Sequence, residues 1–373
     1  MKRYCKGIDI TDKDLIRTAV IDCLADKKNR RDVRALMQRY GTVDAIVAMM
    51  QGEIRARSLQ LKPMWYSVKE DGSSGKIRRI GIQDIKQQLY DYVAVYALRP
   101  AFARIGEYQC AAIPGRGQIY GLKAIQRWLR NPGIKYACKL DIRHCYESID
   151  RGLLMAFLRR HIKNDALLWL LQTLINTFDR GLSIGSYLSQ YLCNLYLSDL
   201  YHEIAESMYK LRGRKRGGKR VNLARHVLFY MDDILLLGAS AKDMNAAAKQ
   251  VIAKAAAMGL KIKPDWRVFR IADAKGGRGG FIDMMGFRFY REYTTIRSRV
   301  FLRLRRAFLR AQRRRTLSLR AAQRCIAYFG FVLHTSSFTI AHRYKVYKAI
   351  KKAKEVISRE SKIPRSAAAG AIG

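Results

Sequence analysis

The sequence predicts an α+β fold in which an antiparallel sheet packs on helices, with a separate and strongly basic helical region. Three observations predict it. Two apolar strands, His226–Tyr230 and Ile234–Gly238, flank a tight turn. Apolar residues recur at helical spacing on both sides of them, and arginines crowd the segment that begins at Ile296. The 373 residues exceed the size at which one core keeps growing, so we expect two or three packed subdomains.

The charge balance is the most unusual property of the sequence. Its 72 Lys and Arg residues outnumber 30 Asp and Glu residues, which gives a formal net charge of +42. A compact protein with this charge repels itself unless a polyanion neutralises it, and nucleic acid is the commonest such partner. An anionic membrane surface is the alternative, but the apolar stretches are far shorter than the roughly 20 residues that span a bilayer. We therefore predict a nucleic-acid-binding protein that does not enter a membrane.

The cysteines and the N-terminal residues indicate a cytoplasmic protein. Seven cysteines are scattered without a Cys-x-x-Cys pair, which is typical of a reducing compartment and argues against structural zinc. The first residues run directly into Asp9, Asp12 and Asp14 without an apolar signal segment. We expect no secretion signal.

Apolar periodicity and turn residues predict the order of the elements. A helix follows a capping signal at Thr11. Two short strands, Leu61–Val68 and Lys76–Ile82, flank a turn rich in Gly and Ser and form a basic hairpin. Lys139–Ile142 is predicted to be a further short strand. Helices are predicted over the following segments: Gln83–Leu98, Leu153–Phe178, Ser189–Met208 and Lys242–Met258.

Two segments are dominated by positive charge. Arg212–Arg220 alternates Gly with Arg and Lys and is predicted to be a loop, either solvated or phosphate-binding. From Ile296 onward, arginines are interleaved with apolar residues such as Phe301 and Phe308. One apolar stripe can therefore pack while the other faces remain positive. We interpret this region as a helical subdomain that grips a nucleic-acid backbone.

Asp232 and Asp233 lie in the tight turn between the two apolar strands. Two adjacent carboxylates repel each other unless cations neutralise them, and oxygen ligands of this kind suit Mg²⁺. Asp is also a common turn residue. The pair alone therefore predicts an ordinary turn as readily as a metal site.

Asp141 favours the metal site over the ordinary turn. It ends the strand that begins at Lys139, and a hairpin beside that strand would bring three carboxylates to one edge of the sheet. Such a group can hold two divalent ions, about 3.5–4 Å apart, that activate an attacking hydroxyl and stabilise the leaving oxygen in a phosphoryl transfer. The three aspartates together predict a two-metal phosphoryl-transfer site.

Three motifs resemble, in order and spacing, the palm motifs of reverse transcriptases. They are the strand that ends at Asp141, the segment Ile184–Gln190 that opens a helix, and the turn Tyr230–Asp233. Supporting segments follow in the family order: Lys76–Arg78, Gly259–Pro264, Met285–Phe289 and Tyr328–Gly330. The resemblance covers the chain from Leu61 to Tyr344.

The resemblance implies a right-hand polymerase fold and an RNA-directed DNA polymerase activity. Interleaved fingers and palm would occupy residues 1–290, a basic helical thumb residues 291–365, and a disordered tail residues 366–373. The implied cofactor is a pair of Mg²⁺ ions, with Mn²⁺ as a substitute. The implied partners are a template RNA, a DNA or RNA primer and dNTPs, in the cytoplasm of a bacterium or encoded by a phage.

The resemblance also implies roles for single residues. Asp141, Asp232 and Asp233 would be the catalytic metal ligands, together with the backbone carbonyl of Ile142. The implied primer grip comprises Met285, Gly286 and Phe287. The implied nucleotide-binding residues are Lys76, Arg78, Tyr146, Gly185, Gln190 and Lys263.

Five of the nucleotide-binding residues have more specific implied roles. Arg78, with Lys76 beside it, would bind the triphosphate, although exposed strand edges also favour Lys. Tyr146 would be the steric gate that excludes a 2′-hydroxyl, although without the motif a core tyrosine is as good an explanation. Gly185 would let the backbone approach the nascent base pair, and Lys263, in preference to Lys261, would lie near the leaving pyrophosphate.

One departure from the usual pattern narrows the resemblance. Many polymerases of this class carry Gln before the glycine and Pro after the serine, where this chain has Ile184 and Gln190. This variant, with the turn Pro114–Gly117 and the run Tyr187–Tyr196, resembles reverse transcriptases of diversity-generating retroelements, in the group II intron-like bacterial lineage. The resemblance implies error-prone copying of template-repeat RNA into cDNA with misincorporation at adenines, and a small basic accessory protein.

Two alternatives stay open. The chain can be another bacterial reverse transcriptase, of the retron, CRISPR-associated, phage-defence or group II intron type. It can also be a non-catalytic RNA-binding protein on a polymerase fold, which accounts for the charge. A pure binder has no reason to keep three carboxylates and Tyr146.

Overall fold

The computed structural model describes residues 3–70, 75, 77–213 and 218–362, and every structural statement below concerns these residues. Lys76, the turn of the first hairpin and the tail 366–373 lie outside them. The chain divides into two compact units. The first holds the described residues of Met1–Asp71, Gly75–Gly117 and Cys138–Val268, and the second those of Gln118–Ala137 and Phe269–Gly373. The domain boundaries at residues 290 and 365 stay predictions.

The α-helices are, in chain order: α1 (Lys13–Leu24), α2 (Arg31–Tyr40), α3 (Val43–Arg55), α4 (Ile85–Leu98), α5 (Gln118–Leu129), α6 (Cys145–Ser148), α7 (Arg151–His161), α8 (Asp165–Ile175), α9 (Tyr187–His202), α10 (Ala241–Ala257), α11 (Ser298–Arg313), α12 (Leu319–Leu333), α13 (Phe338–Arg343) and α14 (Val346–Lys362). The strands are: β1 (Trp65–Glu70), β2 (Ile77–Ile82), β3 (Gln109–Cys110), β4 (Tyr136–Asp141), β5 (Tyr209–Arg212), β6 (Lys219–Asn222), β7 (His226–Tyr230), β8 (Asp233–Gly238), β9 (Arg267–Arg270), β10 (Ile282–Met284), β11 (Phe287–Phe289) and β12 (Thr294–Ile296).

The central sheet has five strands in the order β3-β7-β8-β4-β9. The predicted hairpin of β7 and β8 is antiparallel, and its register pairs Tyr230 with Asp233. The prediction of an antiparallel sheet is wrong at one edge, because β3 runs parallel to β7. This two-residue strand is too short for its apolar pattern to be seen in the sequence.

Helix α9 lies in the interior of the first unit. Leu188, Leu192, Leu195 and Leu200 are buried, and so are the polar Ser189, Asn194 and Ser198 on its other faces. A helix that is buried all round shows no amphipathic pattern. Helix α4 packs against α9 and also against α1 and α8, and α10 packs on β8. Helix α9 also contacts β3, so α9 and α10 both pack on the central sheet.

Two predicted helices have different bounds in the structure. Leu153–Phe178 was expected to be one helix but forms α7 and α8, because the Asn164 side chain accepts a hydrogen bond from the Leu167 N–H at 2.9 Å and starts a new helix. The helix predicted over Ser189–Met208 begins at Tyr187, ends at His202 and continues as a π-helical turn to Ser207.

The two basic hairpins are only partly described. Strands β1 and β2 pair antiparallel as predicted, with Lys69 opposite Arg78, but β1 spans Trp65–Glu70 and not the predicted Leu61–Val68. The segment 212–220, predicted as a loop, begins and ends in strands β5 and β6, which pair with Arg212 opposite Lys219. Residues 214–217 lie outside the described part of the chain.

The second unit has a helical core. Val300, Leu304 and Phe308 of α11 are buried with Ala322 of α12 and Val346 at the start of α14. The apolar stripe predicted within the Arg-rich segment therefore packs, and Arg306 and Arg310 remain exposed. Within the described ranges, the helices are all too short or too polar to cross a bilayer.

Candidate active site

The three predicted aspartates lie at one end of neighbouring strands in the first unit. Asp141 ends β4, and Asp232 lies in the turn that leads to Asp233 at the start of β8. The N–H of Ile142 donates a hydrogen bond to the carbonyl of Asp232 at 3.1 Å. The strand end and the turn are thus in direct backbone contact.

Two lysines pair with these carboxylates. Lys263 Nζ lies 2.6 Å from Asp141 Oδ1, and Lys139 Nζ lies 3.0 Å from Asp233 Oδ1. The Lys263 N–H also donates to the carbonyl of Asp141 at 2.9 Å, so its segment runs along the end of β4. Lys139 was not among the predicted site residues. Lys139 could have been predicted from its position two residues before Asp141, because alternate residues of a strand lie on the same face of the sheet.

Electrostatic repulsion acts among these carboxylates. Burial raises the pKa of Asp232, and the charges of Asp233 and Asp141 raise it further. Burial alone would lower the pKa of Lys263, but its contact with Asp141 raises it above the ordinary value. Cations nearby therefore stabilise the ionised carboxylates.

The donor set fits divalent ions, although it is not a preformed cage. Among the described residues, no three His, Cys, Asp or Glu side chains converge closely enough to hold an ion as they stand. The ammonium groups of Lys139 and Lys263 instead take up cationic positions against the carboxylates. All three acidic groups are oxygen donors, which Mg²⁺ prefers. Displacing the lysines would leave those oxygens for metal.

Tyr146 and Arg78 lie near Asp232. Tyr146 belongs to α6, just after Asp141, and its carbonyl accepts a hydrogen bond from the Leu182 N–H at 2.7 Å. Burial raises the pKa of Tyr146, and the charge of Asp232 adds to this while that of Arg78 opposes it. Arg78 is exposed on β2 and also acts on the pKa of Asp232. The charge of Arg78 thus acts on both Tyr146 and Asp232.

Gly185 joins the hairpin to the segment before α9. Its φ is +114°, and a Cβ there would lie 2.3 Å from the carbonyl oxygen of Gly81 on β2. The Gly81 N–H donates to the carbonyl of Ile184 at 2.6 Å. The close backbone approach seen at Gly185 is therefore to the strand that carries Arg78.

A buried carboxylate holds the start of α9. Asp91 of α4 is fully buried, and its Oδ2 accepts hydrogen bonds from Ser186 Oγ at 2.8 Å and from the Leu188 N–H at 3.3 Å. Gln190 lies half-buried in the first turns of this helix. Asp91 was not predicted, although an acidic residue inside an apolar helix such as α4 is a usable signal.

The predicted primer-grip residues belong to the second unit. Met285 and Gly286 form the two-residue turn between β10 and β11, with φ values of +56° and +83°, as a type I′ hairpin turn requires. The carbonyl of Gly286 accepts from the Arg297 N–H at 2.9 Å, and the buried Phe287 packs on Phe331 with ring centroids 5.0 Å apart. The primer-grip role stays a prediction.

An arginine groove lies between α11 and α12 of the second unit. It encloses about 570 Å³, and Ala311, Leu317, Cys325 and Tyr328 are among its lining residues. The arginines that line it are Arg303, Arg306, Arg310, Arg314, Arg320 and Arg324. The sequence has no acidic residue between Glu292 and Glu355. The groove therefore suits a polyanion.

Comparison with known proteins identifies the family. The family described as reverse transcriptase (RNA-dependent DNA polymerase) matches residues 68–332. No curated protein matches the chain. The matched segment includes the three aspartates, Arg78, Tyr146, Lys263 and the turn Met285–Gly286. This chain belongs to the reverse transcriptase family and is an RNA-directed DNA polymerase, a nucleotidyltransferase.

Proposed function

We propose that Asp141, Asp232 and Asp233 hold two Mg²⁺ ions and that the chain performs error-prone cDNA synthesis in a diversity-generating retroelement. Enzymes of this family act on an RNA template, a primer and dNTPs, and they use divalent metal ions. The observation that carries the metal assignment is the backbone contact between the end of β4 and the Asp232 turn, with Lys139 and Lys263 paired to the acids. When bound, the ions would neutralise charge on the reacting phosphates.

The residues around the aspartates have complementary tasks. Arg78 presents a forked donor near Asp232, suited to triphosphate oxygens. Lys263 is held at Asp141 through its backbone N–H and its ammonium group. Once released from Asp141, the ammonium group would offer a point charge to the leaving pyrophosphate. Tyr146, five residues after Asp141, would exclude a 2′-hydroxyl with its half-buried ring. Lys76 stays a predicted phosphate ligand outside the described residues.

Primer extension on an RNA template tests the metal assignment. We expect Asp232→Ala to abolish extension, because the buried turn loses its carboxylate. The control is Asp44→Ala, which removes an exposed acid that pairs with Arg17 and should retain wild-type extension. Equal extension by Asp232→Ala and the wild type would refute the assignment. If the wild type and Asp232→Ala both bind RNA but neither extends a primer, the non-catalytic alternative would be favoured.

The proposal of mutagenic copying rests on Ile184 and Gln190. The carbonyl of Ile184 holds β2, and Gln190 is the fourth residue of α9. Ile184 thus contacts the strand that carries Arg78, and Gln190 belongs to the first turn of the buried helix. A changed contact at these two positions would loosen the selection of the incoming base at the nascent base pair. A small basic accessory protein and the retroelement subtype remain predictions from resemblance.

Fidelity measured base by base tests this proposal. The double variant Ile184→Gln with Gln190→Pro should lower misincorporation at template adenines more than at other bases. The control is Ile184→Val, which keeps an apolar side chain and should keep the adenine errors. Adenine errors that stay unchanged in the folded double variant would sink the mutagenic assignment while leaving the polymerase assignment intact.

A further inference from the structure

Two residues at the ends of parallel strands share an unusual backbone conformation. Strands β3 and β7 pair Gln109 with Phe229 and Cys110 with Tyr230. The next residues, Ala111 and Met231, have φ values of +73° and +55°. Residues other than glycine rarely adopt this region, and they persist in it only when their surroundings hold them there. Met231 directly precedes Asp232.

One side chain bridges both residues. Asn194 of α9 is buried, with 1% of its surface exposed. Its Nδ2 lies 3.3 Å from the carbonyl oxygen of Ala111 and 3.4 Å from Met231 Sδ. The same amide donates to the carbonyl of Gln190 at 3.0 Å within the helix. Its two hydrogens are thus shared among three acceptors: the Gln190 carbonyl of its own helix, the Ala111 carbonyl and the side-chain sulfur of Met231.

The backbone of Asn194 is held as well. The fully buried Gln109 donates from Nε2 to the carbonyl of Asn194 at 2.9 Å, and its Oε1 accepts from the Gly106 N–H at 2.8 Å. The Met231 N–H lies 3.4 Å from the carbonyl of Cys110. Helix α9, β3 and the turn before Asp232 are therefore joined through buried polar groups, which are costly to leave unpaired.

We propose that Asn194 is a positioning residue that holds Met231 in its left-handed conformation and so aligns Asp232 and Asp233 with Asp141. This inference rests on the proposed metal-binding role of the aspartates. Asn194 touches the turn rather than the reacting atoms. Loss of its amide would let the turn relax without removing a carboxylate.

The test compares two variants with a matched control. Asn194→Ala removes the amide, and Asn194→Asp keeps the shape but replaces the donor with a group that repels the carbonyl of Ala111. The control is Ser198→Ala, on the same helix and similarly buried, whose hydroxyl donates to the carbonyl of Leu195 at 2.6 Å. The readouts are kcat, KM for dNTP, thermal unfolding, and Mn²⁺ binding without substrate by electron paramagnetic resonance.

We expect both Asn194 variants to lose kcat and Mn²⁺ affinity by roughly 10- to 100-fold, as is usual for groups that orient metal ligands. KM for dNTP should change by less than about threefold, because the binding groups remain in place. Ser198→Ala should keep wild-type kcat and Mn²⁺ affinity even if its Tm falls. If Asn194→Ala fails to fold, Asn194→Asp decides the question.

Two results would overturn the proposal. One is wild-type kcat and Mn²⁺ affinity in a folded Asn194 variant. The other is a loss in Ser198→Ala that equals the loss in the Asn194 variants, since general destabilisation would then explain both. Asp232→Ala separates this failure from failure of the proposed function. If Asp232→Ala binds Mn²⁺ like the wild type, the metal assignment itself is wrong.

Discussion

Gly185 shows how a single backbone position connects two parts of the site. No side chain fits there, because a Cβ would lie 2.3 Å from the carbonyl oxygen of Gly81. Gly81 follows Arg78 along β2 by three residues. Whatever displaces Gly81 therefore displaces the strand that presents Arg78 near Asp232.

Replacing Gly185 with Ala should impair nucleotide binding. The added methyl group must push β2 away, and the positive φ adds strain. We expect KM for dNTP to rise by about tenfold, which corresponds to about 1.4 kcal/mol of lost binding. Steady-state primer extension measures it. Gly41→Ala is the control, because its φ of +73° imposes similar strain but a Cβ there meets nothing within 4 Å. A comparable rise in KM for Gly41→Ala would contradict the steric explanation.

Tyr146 is the residue on which sugar selection should depend. Its side chain is half-buried, so removing the ring opens space without removing a charge. Tyr146→Ala should raise the efficiency of ribonucleotide incorporation relative to deoxynucleotide by roughly 10- to 200-fold, the range that a steric pocket can supply. Tyr146→Phe keeps the ring and should keep the discrimination. Incorporation assays with matched dNTP and rNTP pairs decide it, and unchanged discrimination in Tyr146→Ala would exclude the gate.

The sequence predicted the residues whose surroundings are local. Asp141 and Asp232 follow apolar strands, and that pattern is visible in the chain itself. An acidic residue within an apolar helix could have drawn attention to Asp91, but not to its partner Ser186, which lies 95 residues away along the chain. Asn194 offers no such signal, and its partner Ala111 lies 83 residues away. A buried polar residue has no local pattern that names its partner.

At the scale of elements, α9 contacts both a buried carboxylate of α4 and the turn before Asp232. Asp91 accepts hydrogen bonds at its N-terminal end, and Asn194 contacts Met231 further along. The N-terminus of a helix favours a negative charge, but complete burial of Asp91 opposes ionisation. Burial raises the pKa of Asp91 to about 6, although hydrogen bonds from Ser186 and the backbone lower it in part.

Asp91→Asn should stabilise the protein more at pH 8 than at pH 4. The folded pKa of about 6 exceeds the ordinary 3.8, so the stability contributed by Asp91 is complete below the ordinary pKa and is lost as pH rises through about 6. The amide side chain of the Asp91→Asn variant is neutral at every pH, so the variant does not lose this stability as the pH rises. We expect the difference in unfolding free energy between variant and wild type to grow by about 3 kcal/mol across this range. Denaturant titrations at both pH values measure it, and a pH-independent difference would contradict the argument.

Element bounds were predictable where the helical pattern ran without an internal cap, and they were wrong where such a cap was missed. Helix α4 lies within the predicted segment Gln83–Leu98, and α10 agrees with its prediction to within a residue at each end. The break between α7 and α8 depends on Asn164, whose side chain caps α8, yet an Asn within an apolar run was taken as helical. The short β3 depends on its pairing with β7, which no local pattern reveals.

At the scale of the whole molecule, the net charge of +42 makes nucleic-acid binding strongly dependent on salt. Binding by overall surface charge and binding in a specific phosphate-binding groove predict different effects of mutation. If the positive charge acts uniformly, every exposed lysine or arginine of the second unit should contribute equally to the salt dependence of RNA binding. If the arginine groove between α11 and α12 holds phosphates, the groove arginines should contribute more.

The combined variant Arg306→Gln, Arg310→Gln and Arg324→Gln separates these two cases. Each groove arginine that neutralises a phosphate releases counterions, so its loss should reduce the slope of log K against log salt by about 1. We expect the slope for RNA binding to fall by up to about 3 in this variant, as measured by filter binding or fluorescence anisotropy over a salt series. The control removes the same charge from exposed residues of α14, with Lys348→Gln, Lys351→Gln and Lys354→Gln. An equal fall in slope for the control would show that the groove has no privileged role, whereas a smaller fall would place phosphates of the bound RNA against α11 and α12.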